Sequence, residues 1–283
     1  MCQLVFMQRF MHHLSILLRR PQPVRFLMAQ IFWRTGWGSW ITFPLRGFRL
    51  HLHPANLAWQ LWIERHNRDD DLKLISSLLK PGDTMIDVGA NIGFTALEGA
   101  QAVGMKGIVH AIEPHPVIHR YLEENLALNR FGPPQIQTYA IAVGDAPCAT
   151  GVQFTNDRRD DMNFMIRQAP AHQSGTDNSR ITVPVTTLDA LFPTLACCDL
   201  LKIDVEGAEV FVLRGATELL KHTRQILIEA GEFNSQQYGV SPADLLHQLN
   251  LAGFTVQEAD TGRQPVSLER YKSHVGNWLA IRN

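Results

Sequence analysis

Thr84-Met85-Ile86-Asp87-Val88-Gly89-Ala90-Asn91-Ile92-Gly93 is the stretch on which the fold turns. Thr84 to Val88 is a short apolar run after the breaker Pro81-Gly82, which predicts a buried strand. Gly89 permits a sharp turn, and Gly93 lets the next helix, predicted over Thr95–Val103, start close to the sheet and to a ligand. The first turn of that helix presents free N–H groups to an anionic group. Glu113 follows Gly93 by 20 residues and ends the next predicted strand, Ile108–Glu113. An acid at that place can take both hydroxyls of a ribose.

Outward from this unit the same alternation continues. Further strands are predicted at Ile136–Val143, Leu200–Asp204, Gln225–Glu229, Phe254–Glu258 and Trp278–Ile281. Helical spacing falls at Pro116–Asn129, Ala208–Lys221 and Pro242–Leu251, the last started by Ser241, Pro242 and Asp244. Before the first strand, Asp69–Asp71 lead into a helix carrying Leu72, Ile75, Leu78 and Leu79. Strands alternating with helices predict an α/β fold with right-handed crossovers and a mostly parallel sheet. Between Gly144 and Thr187 the helical period fails, and Asn156–Asp161 and Gln173–Arg180 read as a hairpin and a mobile loop over the sheet.

The glycine pattern also selects among nucleotides. A dinucleotide turn spells G-x-G-x-x-G to admit a pyrophosphate. Here Ala90-Asn91 replaces the middle glycine, which favours a ligand whose amino-acid part meets Asp87. S-adenosylmethionine carries such an ammonium together with a carboxylate, a ribose and an adenine. A nicotinamide-dependent dehydrogenase and a non-catalytic binding module are the alternatives.

A second block, Leu200-Leu201-Lys202-Ile203-Asp204-Val205-Glu206-Gly207-Ala208-Glu209, ends a buried strand at the sheet edge where open α/β folds bind ligands. Lys202, Asp204 and Glu206 alternate there, and such groups are costly to bury unless paired or working. Asp204 or Glu206 is expected to orient or deprotonate an acceptor hydroxyl, or to hold a divalent cation, with Glu229 able to join them. Asn125 lies beside the inward stripe of its helix and either braces the Glu113 turn or is a satisfied structural amide. His110, Glu113, His115 and His119 lack zinc spacing, so no metal site is assigned. No G-x-S-x-G is present, and the four cysteines form no C-x-x-C pair, which fits reduced thiols in the cytoplasm.

The chain has 283 residues, 45% of them hydrophobic and 19% charged, with a formal net charge of −1. That excludes wholesale disorder and a polycation built for nucleic acid. The balance hides an asymmetry. Residues 1–63 hold seven arginines, no lysine and no acid, together with Trp33, Trp37, Trp40, Trp59 and Trp62. Helices are predicted over 1–20 and 24–34, a short strand over Phe48–Leu52 and a helix over Leu57–His66. Residues 1–46 are therefore set apart as a basic, Trp-rich extension to a domain over 47–283. It either packs its Trp and Leu faces on the main domain or makes peripheral contact with an anionic membrane.

The combined pattern resembles the FkbM-type methyltransferases, a class I family dependent on S-adenosylmethionine. It is carried by Pro81-Gly82-Asp83, the Ile86–Gly93 turn, Glu113-Pro114, Asn125, Thr187-Leu188-Asp189 and Lys202–Glu209. The resemblance implies a seven-stranded Rossmann-like sheet with helices on both faces and its last strand antiparallel. It further implies O-methylation of a small molecule or a sugar. By matching positions, Asp87, Gly89, Ala90, Asn91 and Gly93 would surround the methionine part and Glu113 the ribose. Ala142 or Val143 would face the adenine, Asn125 would belong to the cofactor site, and Asp204 would lie near the transferred methyl.

Overall fold

The structure, a computed structural model, describes residues 22–131, 135–155, 165–166, 180–259 and 262–283. The expected helix over 1–20, the hairpin at 156–161 and the loop over 173–179 lie outside them.

Seven strands form the main sheet: β1 (Thr84–Val88), β2 (Ile108–Ile112), β3 (Ile136–Tyr139), β4 (Cys198–Ile203), β5 (Thr223–Ala230), β6 (Phe254–Glu258) and β7 (Gly276–Arg282). Their order is β6-β7-β5-β4-β1-β2-β3. β7 runs antiparallel to both neighbours, and the other pairings are parallel. The chain leaves β1 toward β2 and β3, then returns to place β4 on the other side of β1. The carboxyl ends of β1 and β4 therefore flank a topological switch point, where such sheets open a crevice.

Alternation along the strands builds two cores, one on each face. Met85 and Leu200 pack with helices α2 (Asn56–Ile63), α3 (Asp69–Leu78), α4 (Phe94–Val103) and α5 (Pro116–Leu128). Ile86, Val88, Leu201 and Ile203 pack with α6 (Glu209–Arg214), α7 (Thr217–Lys221) and α8 (Pro242–Leu251). Strands buried on both faces need apolar residues at every position. Asp87 and Lys202 are therefore exceptions that require partners. Ahead of α2, helix α1 (Pro23–Thr35) leads to an antiparallel pair of short strands, Thr42–Pro44 and Arg49–His51.

Three expected elements are corrected. The strand predicted over Ile136–Val143 ends at Tyr139, and Ala142–Val143 joins a separate small sheet beside Val185–Thr186. The helix predicted over Ala208–Lys221 is broken into α6 and α7 at Gly215, where an added Cβ would lie 1.9 Å from the Gly144 carbonyl oxygen. Asp189 then starts α7: its carboxylate accepts from the N–H groups of Glu218 and Leu219 and from the Thr217 hydroxyl. The helix predicted over Leu57–His66 stops at Ile63. By contrast, α8 has the expected capping box between Ser241 and Asp244, with Pro242 in its first turn.

Candidate active site

A cavity of about 240 Å³ opens at the carboxyl ends of β1, β2 and β4. One side is apolar, formed by Ile112, Pro114, Ile141, Ala142 and Val143. Polar residues face it: Asn91, Glu113, Asp204 and Glu206, with Lys202 and Arg68.

The loop after β1 is shaped by left-handed residues: Gly89 (φ 81°), Asn91 (φ 51°) and Gly93 (φ 90°). A Cβ on Gly89 would sit 1.8 Å from the Asp204 carbonyl oxygen, and one on Gly93 would meet Leu122 at 2.7 Å. Both glycines thus bring protein segments together, β1 to β4 and α4 to α5, as well as bending the chain. Gly89 and Ala90 both donate their N–H to the Ile112 carbonyl, which ties the loop to β2.

Glu113 is buried at the cavity wall. One carboxylate oxygen accepts from the Asn91 N–H at 3.0 Å and the other from the His115 N–H at 2.8 Å. The side chain is therefore fixed at the cavity wall. His115 caps α5, its Nδ1 accepting from the N–H groups of Val117 and Ile118.

On the β4 side, the Lys202 ammonium lies 3.2 Å from Asp87 and 3.4 Å from Asp204. Thr95 donates to the other Asp87 oxygen at 2.6 Å. Burial works against the Lys202 charge, but Asp87 and Asp204 outweigh it and hold its pKa above the ordinary lysine value. The following loop carries Glu206 at φ 55°, a strained conformation for a residue with a side chain, then Gly207 at φ 101°. The buried Glu209 carboxylate holds this loop by accepting from the N–H groups of Val205 and Gly207. Burial, before any other cause, pushes Glu209 up to about 7. Glu206 itself accepts from Asn234 at 3.0 Å. Glu229, next to Asp204 in the β4–β5 register, is pushed up to about 9 by burial and then by Asp204, Glu206 and Glu209.

The structure sorts the expected residues into two sets. Gly89, Ala90, Asn91, Glu113, Ala142, Val143, Asp204 and Glu206 line the cavity. Asp87, Gly93 and Asn125 do not. Asp87 is fully buried and spent on Thr95 and Lys202, so it supports the site from behind. Asn125 is the satisfied structural amide: it donates to the Ile92 carbonyl and accepts from the His51 N–H, both at 2.8 Å. Asn56, Gln60 and Arg68 were not expected at the cavity. Arg68 precedes the acidic run in sequence, and its Nε donates to Asp71 at 2.6 Å. No spacing relates these residues to β1; tertiary packing alone brings them there. Among the described residues no three His, Cys, Asp or Glu side chains form a group able to hold a metal ion.

Comparison with known proteins follows the same outline. Residues 87–256 match the family described as the Methyltransferase FkbM domain. "Methyltransferase 1" of Beauveria bassiana is 28% identical over 148 residues, which is 48% of this chain; the chain spans 59% of that relative's length. Among solved structures, "Methyltransferase FkbM" from Methylobacillus flagellatus KT aligns over 79% of this chain and 54% of its own, at 15% identity and a TM-score of 0.45. Aeropyrum pernix fibrillarin, solved with natively bound S-adenosyl-L-methionine, aligns over 71% of this chain and 67% of its own, at 14% identity and a TM-score of 0.41. The matched family segment begins at Asp87 itself, takes in both cavity-forming motifs and covers more than half of the chain, which belongs to the FkbM methyltransferase family.

Proposed function

We propose that the cavity binds S-adenosylmethionine and that the protein transfers its methyl group to a hydroxyl oxygen of a small molecule or a sugar. The observation that carries this reading is Glu113, locked at the cavity wall by two main-chain N–H groups at the end of β2, the place from which an acid takes a ribose diol. The residues fit the rest of the ligand. Ile112, Ile141, Ala142 and Val143 offer an apolar slot for a purine, and Asp204 and Glu206 offer negative charge for the cationic end. When bound, the cofactor supplies an activated methyl on a sulfonium.

The protein's own part is orientation and proton handling. Asp204 is the residue we assign to accept or steer the proton of the acceptor hydroxyl. Its carboxylate is held at 3.4 Å by the Lys202 ammonium, which Asp87 holds in turn while Thr95 donates to Asp87. Glu206, held by Asn234 on a left-handed backbone, is the other carboxylate in reach of an acceptor. Asp87, Gly93 and Asn125 shape this machinery from outside the cavity. Asn56, Gln60 and Arg68 form the wall on which acceptor selectivity would depend.

Isothermal titration with S-adenosylmethionine tests the reading. Native protein is expected to release binding heat, and Glu113→Ala to weaken binding by about tenfold or more, since a charged acceptor contributes roughly 1.5–3 kcal/mol. Absence of heat with native protein would remove the cofactor assignment. Binding without methyl transfer to a panel of hydroxyl acceptors would leave a binding module.

A further inference from the structure

Helix α1 presents two faces of different fate. Ala29 is buried, and Phe26 and Phe32 are partly buried on the side turned to the protein. The Phe26 and Trp59 rings lie 6.1 Å apart, and the Trp62 indole donates to the Arg25 carbonyl at 3.2 Å, joining α1 to α2. On the other side Val24, Leu27, Met28 and Ile31 follow the spacing i, i+3, i+4, i+7 and are 68%, 42%, 39% and 57% exposed. The turn after the helix adds Trp37 and Trp40, 67% and 88% exposed. A run of large apolar side chains on one helical face marks an interaction surface rather than scattered surface residues.

Charge decides among occupants. The helix ends with exposed Arg34, and Arg49 lies exposed on the adjoining strand pair. No acid precedes Glu64. A second copy docking through the same face would set like charges against one another. An anionic bilayer attracts arginine, accepts aliphatic side chains below its headgroups and takes tryptophan at headgroup depth. We propose that α1 and the Trp37–Trp40 turn dock this protein on an anionic lipid surface. Because α2 carries Asn56, Leu57 and Gln60 into the cavity wall, docking places that wall beside the bilayer.

The test is co-sedimentation of the full chain with phosphatidylcholine vesicles and with mixed vesicles in which about one lipid in three is phosphatidylglycerol. Native protein is expected to pellet with the mixed vesicles alone, and less so as salt rises. Leu27→Glu/Ile31→Glu is expected to weaken this by on the order of tenfold. The two positions are exposed, so the variant should keep the native melting curve and the native heat with S-adenosylmethionine, and Trp40→Ala gives a second, milder change. Equal pelleting of native and variant protein, or equal pelleting on both vesicles, would overturn the proposal. So would a concentration-dependent dimer in sedimentation velocity that the double variant abolishes, which would give the face to a second copy. The pelleting and sedimentation-velocity outcomes do not depend on methyl-donor binding.

Discussion

At the β1–β2 half of the cavity the carboxylate of Glu113 is held by main-chain N–H groups, whereas at the β4 half Asp204 and Glu206 are held by side-chain partners, with Glu229 close enough to feel their charge. Main-chain donors are fixed by the fold and do not titrate, so Glu113 suits the recognition of a neutral diol. Side-chain partners can share and shift protons, so the other half suits chemistry on a hydroxyl. Lys202 joins the halves by reaching across from β4 to Asp87 on β1. The difference teaches that the donor pocket and the reacting end are built from distinct kinds of restraint.

Lys202→Met strikes the joint and should have the largest effect. It leaves Asp87 charged and without its cation in the interior, a loss of about 3–5 kcal/mol measurable by urea unfolding. A loss below about 1 kcal/mol would mean that Asp87 needs no counter-charge, and the two halves would then be independent. Asp204→Asn should come next. It is expected to lower kcat at saturating S-adenosylmethionine by about a hundredfold or more and to weaken S-adenosylmethionine binding by about tenfold, because Asp204 both steers the proton and faces the cofactor's cationic end. If Glu206→Gln shows that loss and Asp204→Asn does not, the proton acceptor is Glu206.

The last effect is a pH dependence. Burial, and then Asp204, Glu206 and Glu209, push Glu229 up to about 9, above its unfolded value. The folded state therefore binds the extra proton, and this contribution to stability is present below about pH 4.5 and lost as pH rises through about 9. Glu229→Gln removes the loss. Its Tm should clearly exceed that of native protein at pH 9 and match it near pH 4.5. Parallel melting curves at both pH values would take Glu229 out of the acidic crowd. Glu209, pushed up to about 7, adds a slope of the same sign that remains in the variant.

Much of this was legible in the residues because local rules decided it. Met85 and Ile86 part to opposite faces as strand periodicity requires, and the acid at Glu113 falls where β2 ends. Where distant groups decide, the pattern misleads. Gly215 breaks a helical period because the Gly144 carbonyl occupies the space of its missing Cβ, 71 residues away in sequence. Asn125 looks like a ligand-binding amide, yet its partner is the His51 N–H of an N-terminal strand. Arg68 reaches the cavity through the packing of α3, which no spacing encodes.

Asn125 has a counterpart one turn further along α5. Asn129 accepts from the Arg49 N–H and donates to the Arg49 carbonyl, while Asn125 accepts from the His51 N–H. Four residues of helix advance about 6 Å and two residues of strand about 6.6 Å, so the two amides keep step with the strand they face. A helix here imitates a neighbouring strand, and the Arg49 N–H, the Arg49 carbonyl and the His51 N–H, which would otherwise recruit another polypeptide into a growing ribbon, are already taken. The consequence is protection against self-assembly at a border where sheet-forming chains are vulnerable.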